Sequence, residues 1–540
     1  MKGRIKFIKS GITLTAVGLA MRTVSMLFGA FVTRTVGAEG MGIYTVVMTV
    51  YSFAITFATS GISLTVTRLV AGAVGEGRED EIGAILLSSV LYSLLFGFAS
   101  TAVLFLGADF IGGVILADAR TVSSLKILSL SLTGVGLCSV FSGYFIGVKR
   151  VGFNATVQVV SQIVKIALTL LLVIRASGYG VVSLVSALCL GITVTELLAF
   201  LFMLAEYLVD RHYHSTRVTK NKSNGLKKVA GAALPLAVSA YFRSILTTIE
   251  HILIPRRLIS RGESGSQAYS NYGLLHGMAL PVVLYPMSPL TSFSGLLVPE
   301  FAEDCAGGKK ERMTKVASEA LNTTLKYSAV IAVLMCFFSE ELGYAVYGSY
   351  DAGRYIAMLA PIIPIMYLDH VTDSVLKGIG EQVYSMWVNI ADSLLSVLLV
   401  YFLIPVFGIA GYALVIIIME GFNFIMSVTR LYGRVRFKIS IFSGLVLPLV
   451  ISVIAAVITH SLFNFSGSTT PAVWLALKMV FTLSVIVSLL SFSHALFRSL
   501  SDKINAHLPF NAKKSAQFYH LCQKNEEMQI TCQKTRGKHG

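Results

Sequence analysis

About fourteen apolar stretches run down this chain, each near the roughly 20 residues that a helix needs to cross the hydrocarbon of a bilayer. No water is available there, so the backbone must satisfy its own hydrogen bonds, and a series of such stretches reads as packed membrane helices. The predicted fold class is all-α: a polytopic membrane protein of about fourteen spans, centred from near Met26 to near Val485. Arginines interrupt the pattern at matching places, Arg22 inside the first stretch and Arg243 inside the seventh. A guanidinium does not shed its proton, so at membrane depth it must face water, a partner or an anionic ligand. One such arginine in each half points to a central cavity.

Composition agrees. Charged residues make up 13% of the 540, against roughly 25% in an average soluble protein. The 44 Lys and Arg outnumber the 28 Asp and Glu, giving a net charge of +16. In a soluble chain that surplus would point to nucleic acid. Here it gathers in loops, as it does on the cytoplasmic face of membrane proteins, and no nucleic-acid partner is expected. Six cysteines (Cys138, Cys189, Cys305, Cys336, Cys522 and Cys532) show neither CxxC spacing nor a disulfide framework, so no metal site is expected. The apolar run over 12–36 is too long for a cleavable signal and lacks a small-residue cleavage site.

Basic residues cluster before the first span, after spans four, six, eight and twelve, and beyond Arg498. Placing these on one side gives about thirty basic residues there and about seven opposite, the bias of a cytoplasmic face. The chain is then a multi-pass protein of the cytoplasmic membrane with both termini inside. Arg256, Arg257 and Arg261 fall on the other side. Either the seventh span is misplaced, or an outward basic patch meets phosphate. No loop inside the bundle exceeds roughly 25 residues, too short for an independent domain. No GxxxxGK[ST] sequence is present, and Gly75-Glu76-Gly77 is a polar turn, so neither an enzyme nor a cofactor is expected.

The first six spans resemble the next six. Setting Gly147 on Gly378 places Gln158 on Asn389, one side-chain amide on another. Glycine-containing turns, Gly178-Tyr179-Gly180 and Gly408-Ile409-Ala410-Gly411, introduce the last helix of each set. Six being even, both copies enter from the same side, a parallel pseudo-two-fold about the membrane normal. The expected organisation is a six-helix bundle over 1–205, a basic linker over 206–228, a second six-helix bundle over 229–430, two further spans over 441–497 and a basic tail over 498–540. Two bundles leaning together enclose a midplane cavity, and rocking exposes it to each side in turn.

The run Tyr269-Ser270-Asn271-Tyr272-Gly273-Leu274-Leu275-His276-Gly277-Met278-Ala279-Leu280-Pro281, followed by Leu297-Val298-Pro299-Glu300-Phe301-Ala302-Glu303, resembles the eighth-span signature of the stage V sporulation protein B group. Ile254-Pro255-Arg256-Arg257-Leu258 and the segment 378–411 resemble the same group. That group is the sporulation branch of polysaccharide transporters in the multidrug/oligosaccharidyl-lipid/polysaccharide exporter superfamily, whose relatives include lipid II flippases, O-antigen flippases and multidrug antiporters. The resemblance covers nearly the whole chain except the tail. It implies transbilayer movement of an undecaprenyl-pyrophosphate-linked sugar for peptidoglycan or spore cortex. Arg22 matches the first-span arginine of the lipid II flippases, where cavity arginines meet pyrophosphate. Their acidic–arginine pair early in span eight is replaced here by Leu274, Leu275 and His276.

Arg22 and Arg243 are the leading substrate-binding candidates, because arginine offers planar, bidentate donors to a pyrophosphate. Pairing with Glu196, Glu250 or Glu420 is the alternative. Arg68 is a third candidate that also has the reach to snorkel to the interface. Arg34 reads as structural. Lys165 and Glu196 are expected to pair between neighbouring helices. Glu250, His251 and His276 are candidates for proton coupling. Asp369, Asp373 and Lys377 form an i, i+4 ladder and, with Asp392, a candidate ion site. Prolines at 281, 286 and 289 mark the eighth span as the one to bend.

The leading reading is a flippase for a lipid-linked oligosaccharide, coupled to a cation gradient or to membrane potential. Its expected partners are the bilayer, that lipid and cell-wall synthesis enzymes. The runner-up is a cation-coupled multidrug or metabolite antiporter relying on Asp369, Asp373 and Glu250. An assembly scaffold for cell-wall enzymes is a third.

Overall fold

The computed structural model describes residues 2–148, 150–213, 225–463, 475 and 477–489. Lys149, Arg217, Lys220, Lys222, Cys522, Cys532 and the basic tail lie outside the described residues. Among the described residues all regular structure is helical. The first run comprises α1 (Lys2–Thr59), α2 (Ile62–Gly75), α3 (Ile82–Phe110), α4 (Val122–Ser129), α5 (Leu132–Gly147), α6 (Val151–Ala176) and α7 (Val181–Tyr213). Then come α8 (Gly225–Ser260), α9 (Gly265–Tyr272), α10 (Leu280–Leu284), α11 (Ser288–Ala306) and α12 (Lys310–Phe337). The series ends with α13 (Ser339–Tyr347), α14 (Tyr350–Leu359), α15 (Ile363–Gly378), α16 (Gln382–Phe407), α17 (Ile409–Arg434) and α18 (Leu447–Phe463).

Ten described helical stretches are long and apolar enough to cross a membrane, or up to twelve if two bent pairs each count as one span. The count differs from fourteen for identifiable reasons. The first two expected spans form one stretch, Met21–Gly75, in which α1 leaves helical conformation at Gly37 (φ 75°, ψ 176°). The fourteenth is described only as the shorter Leu477–Leu489.

Breaks fall where side chains disfavour a straight helix. Pro235 removes a backbone donor, and α8 bends by 47° between Gly225–Pro235 and Ala240–Ser260. The proline-rich eighth span is divided into α9, a π-helical turn over Gly273–Ala279, α10, a 3-10 turn over Tyr285–Met287 and α11. Gly180 (φ 86°) and Gly408 (φ 64°) stand immediately before α7 and α17, as the turn motifs predict.

Residues through Leu449 belong to one compact unit, and α18 from Val450 onward belongs with 477–489 to a second. In the second unit Thr482 Oγ1 donates to Thr459 Oγ1 at 3.0 Å, and Phe463 meets Phe481 edge-on at 5.7 Å. Among the described residues the first unit includes two buried apolar clusters. One contains Val66, Val70, Ile82, Leu86, Val140 and Phe145, drawn from α2, α3 and α5. The other contains Leu297, Phe301, Met313, Ala317, Val371 and Leu376, drawn from α11, α12 and α15. The six residues named from the second cluster each follow the corresponding one of the first by 231 positions, the register that sets Gly147 on Gly378. The same spacing governs close approach: a Cβ on Gly147 would meet Val70 at 2.8 Å, and one on Gly378 would meet Phe301 at 2.8 Å.

The tightest approach joins α1 to the eighth span, backbone against backbone. A Cβ on Gly42 would lie 1.9 Å from the Tyr269 carbonyl oxygen, and one on Gly273 would lie 2.0 Å from that of Ala38. Small residues permit such contact between membrane helices, and main-chain atoms have no rotamer by which to yield. Gly42→Ala and Gly273→Ala should each cost about 2 kcal/mol or more, lowering the unfolding temperature in detergent. Gly29→Ala, where nothing among the described residues lies within 4 Å, should leave it unchanged or slightly raised. Equal unfolding temperatures for the three variants would refute this account of the packing.

Candidate functional site

One turn beyond the bend in α8, Arg243 lines a cavity of about 580 Å³. Thr56 of α1, Lys377 of α15, and Gln382 and Asn389 of α16 share the lining. Arg243 is exposed, and among the described residues it makes neither a hydrogen bond nor an ion pair. Asp392 is within electrostatic reach of it, but accepts from Asn423 Nδ2 at 3.0 Å. Lys377 pairs with Asp373 at 2.5 Å. The cavity therefore presents an unclasped guanidinium, a paired ammonium and amide groups. That donor set suits an anion rich in acceptor oxygens.

Arg22 is likewise exposed and makes no hydrogen bond or ion pair among the described residues. Its neighbours fix where it stands. Thr23 Oγ1 and the Tyr285 hydroxyl lie 2.8 Å apart, Gln162 Nε2 donates to Ser25 Oγ at 3.0 Å, and His370 of α15 is within electrostatic reach. Arg22 thus sits where α1 meets α6 and α15. Arg68 is exposed on α2.

The other predicted residues separate into distinct groups. Asp373 is spent on Lys377. Asp369 stands against Ser427 of α17, and it interacts with Asp392 and Glu420. Glu250 accepts from Ser396 Oγ at 2.6 Å and interacts with Asp392. Four acids, Glu250, Asp392, Asp369 and Glu420, therefore lie within electrostatic reach of one another or of a shared neighbour across α8, α16, α15 and α17. Asn423 and Ser396 hold two of them, a role their polarity alone did not disclose. His276 forms a second group beside Glu250: its Nδ1 lies 3.2 Å from the Tyr412 hydroxyl, which is within electrostatic reach of Glu250, and its ring packs edge-on to His251 at 4.5 Å. His251 Nδ1 in turn lies 2.9 Å from the Tyr272 hydroxyl. Among the described residues no three His, Cys, Asp or Glu side chains converge to hold a metal ion.

Several charges are structural. Arg34 donates to the main-chain carbonyls of Tyr344, Ala345 and Val346 at the end of α13, in keeping with the structural role expected of it. The Arg257 guanidinium lies 3.4 Å from the centroid of the Tyr401 ring. Arg261 rests over Gly408, so at least two of the three arginines that broke the charge bias serve packing. Lys165 and Glu196 form no ion pair among the described residues, correcting the expected pairing. They face one cavity within electrostatic reach of each other.

Two charge clasps close the ends of the helices that line the cavities. Arg150 bonds Asp210, which also accepts from the Tyr144 hydroxyl at 2.7 Å and is only 3% exposed. In the second half Glu381 accepts from Arg430 Nη2 at 2.7 Å and pairs with Arg434 at 2.6 Å. Glu381 directly precedes Gln382 in the cavity lining, so this clasp fixes the cavity rim. The Arg430 guanidinium holds the Glu381 carboxyl below the ordinary carboxylate range. A depressed folded value contributes stability above the ordinary value of 4.5, lost as pH falls through the folded value. Glu381→Gln should therefore cost about 1 kcal/mol at pH 7, read by thermal unfolding in detergent. The gap from the parent protein should narrow below pH 4.5; a gap unchanged down to acid unfolding would contradict it.

Residues 7–304 match the family described as polysaccharide biosynthesis protein, and residues 276–402 match the MatE family. Stage V sporulation protein B of Bacillus subtilis (strain 168) is 25% identical over 417 residues, covering 76% of this chain and 80% of that protein. Lipid II flippase MurJ of the same organism is 22% identical, covering 71% of this chain and 74% of its own length. A solved structure of lipid II flippase MurJ in an inward closed conformation matches with a TM-score of 0.66 at 16% identity, covering 90% of this chain and 99% of that one.

Proposed function

Because the chain belongs to the polysaccharide biosynthesis protein family, membrane transporters of the multidrug/oligosaccharidyl-lipid/polysaccharide exporter superfamily and not enzymes, we propose that it flips an undecaprenyl-pyrophosphate-linked sugar across the cytoplasmic membrane. The observation that carries this reading is the Arg243 cavity: about 580 Å³ beside a guanidinium with no bonded carboxylate among the described residues. Such a cation in a membrane protein is costly unless water or an anion compensates it. A diphosphate supplies that anion, and an isoprenyl tail stays in lipid while the headgroup crosses. A sporulation protein and a lipid II flippase among the relatives support a cell-wall or spore-cortex precursor as the cargo.

In this reading the repeated register of 231 positions reflects two six-helix bundles related by a parallel pseudo-two-fold, rocking about the cavity. The Gly37 break divides a 55-residue stretch, far longer than one crossing, into two spans, which supports a total of fourteen. Both termini are then cytoplasmic.

Arg22→Ala and Arg243→Ala should each reduce externalisation of the lipid-linked precursor by roughly 10-fold or more, the worth of a charge-assisted contact of about 1.5–3 kcal/mol. Outer-leaflet labelling of the precursor in cells or proteoliposomes reads it, with unfolding temperature as the control. Normal externalisation by both folded variants would defeat the proposal. The acids Glu250, Asp392, Asp369 and Glu420 favour a second reading, a cation-coupled antiporter. Gradient-driven efflux of a cationic dye, abolished by Asp369→Asn, would establish that reading instead.

A further inference from the structure

A second cavity in the first unit, of about 380 Å³, is bounded by α2, α5, α6 and α7. Its chemistry differs from that around Arg243. On α6, Asn154, Gln158, Gln162 and Lys165 recur every three or four residues, so a polar stripe faces the cavity from an otherwise apolar helix. Glu196 of α7 faces it as well. Lys165 and Glu196 contribute one charge of each sign, and no ion pair between them cancels those charges.

Some bonding capacity there is unspent. Asn154 Nδ2 donates to the Ser142 carbonyl at 3.2 Å, while Asn154 Oδ1 is buried with no partner among the described residues. A wall offering both donors and acceptors suits a ligand whose groups do both, such as hydroxyls and an acetamido group. It suits phosphate poorly, because phosphate oxygens accept only, and Glu196 and Asn154 Oδ1 would face them.

The two cavities are neighbours across one break in the chain. Thr56, before the break at Ser60 and Gly61 (φ 43° and 69°), lines the Arg243 cavity, and Ser63 just after it lines this one. Seven residues of chain reach at most about 25 Å, so the two cavities lie within one headgroup's neighbourhood of the break. From this geometry we infer that the α6 cavity is a sugar subsite, holding the carbohydrate end of a headgroup whose phosphates lie by Arg243. The inference rests on the flippase reading and deepens it. Gln158 and Asn389 are then equivalent amides on equivalent helices, one turned to sugar and one to phosphate.

The test uses the full chain in nanodiscs and native mass spectrometry, with two probes: undecaprenyl pyrophosphate, and the same lipid carrying N-acetylglucosamine. The parent protein should bind the sugar-bearing lipid about 10-fold or more tightly than the bare one. Gln158→Leu and Lys165→Met should each erase that preference while leaving affinity for the bare lipid unchanged. Thermal unfolding selects whichever variant folds as the parent does. Absence of the preference in the parent protein, or its survival in both variants, overturns the subsite. Arg243→Ala should weaken both probes. If it weakens neither while the preference persists, the phosphate site fails and the sugar subsite stands.

Discussion

A charge that no protonation change can remove must be surrounded by something polar, and that constraint orders this molecule. Its arginines divide by how they meet it. Arg34 is surrounded by main-chain carbonyls, Arg257 by a tyrosine ring, and Arg150 and Arg430 by carboxylates. Arg22 and Arg243 are left without such partners among the described residues, and Arg243 stands beside a void. The first group binds helices to one another; the second leaves donors unspent beside space a ligand can enter.

Keeping that space open depends on backbone features more than on the arginines. The bend at Pro235 turns the Arg243 segment of α8 away from its first part. The break at Ser60 and Gly61 lets α1 border one cavity and α2 the other. Close contact of Gly42 and Gly273 ties α1 to the eighth span. Helices anchored at such points lean together without filling every gap between them.

Much of this was legible in the sequence, because membrane helices are written as long apolar runs and their breaks as glycine and proline. The turns at Gly180 and Gly408, the interrupted eighth span and the matched glycines Gly147 and Gly378 all follow from those rules. Side-chain geometry was less accessible. Lys165 and Glu196 look like a pair because each needs a counter-charge, yet a cavity supplies polar surroundings instead. Asn423 and Ser396 gain their roles only when α17 and α16 bring them to Asp392 and Glu250. The number of spans was blurred where helices run on without a polar loop, as α1 does through Gly37.

The clasps at Arg150 and Glu381 carry a consequence for assembly. In the first half the loop before the lining helix supplies the cation and the following helix the anion; in the second half the signs are exchanged. A chain made of two look-alike parts risks docking a piece of one copy into the other during insertion. Here such an exchange would press Arg150 against Arg430 and Glu381 against Asp210, like against like. Opposed polarity thus makes such an exchange electrostatically unfavourable.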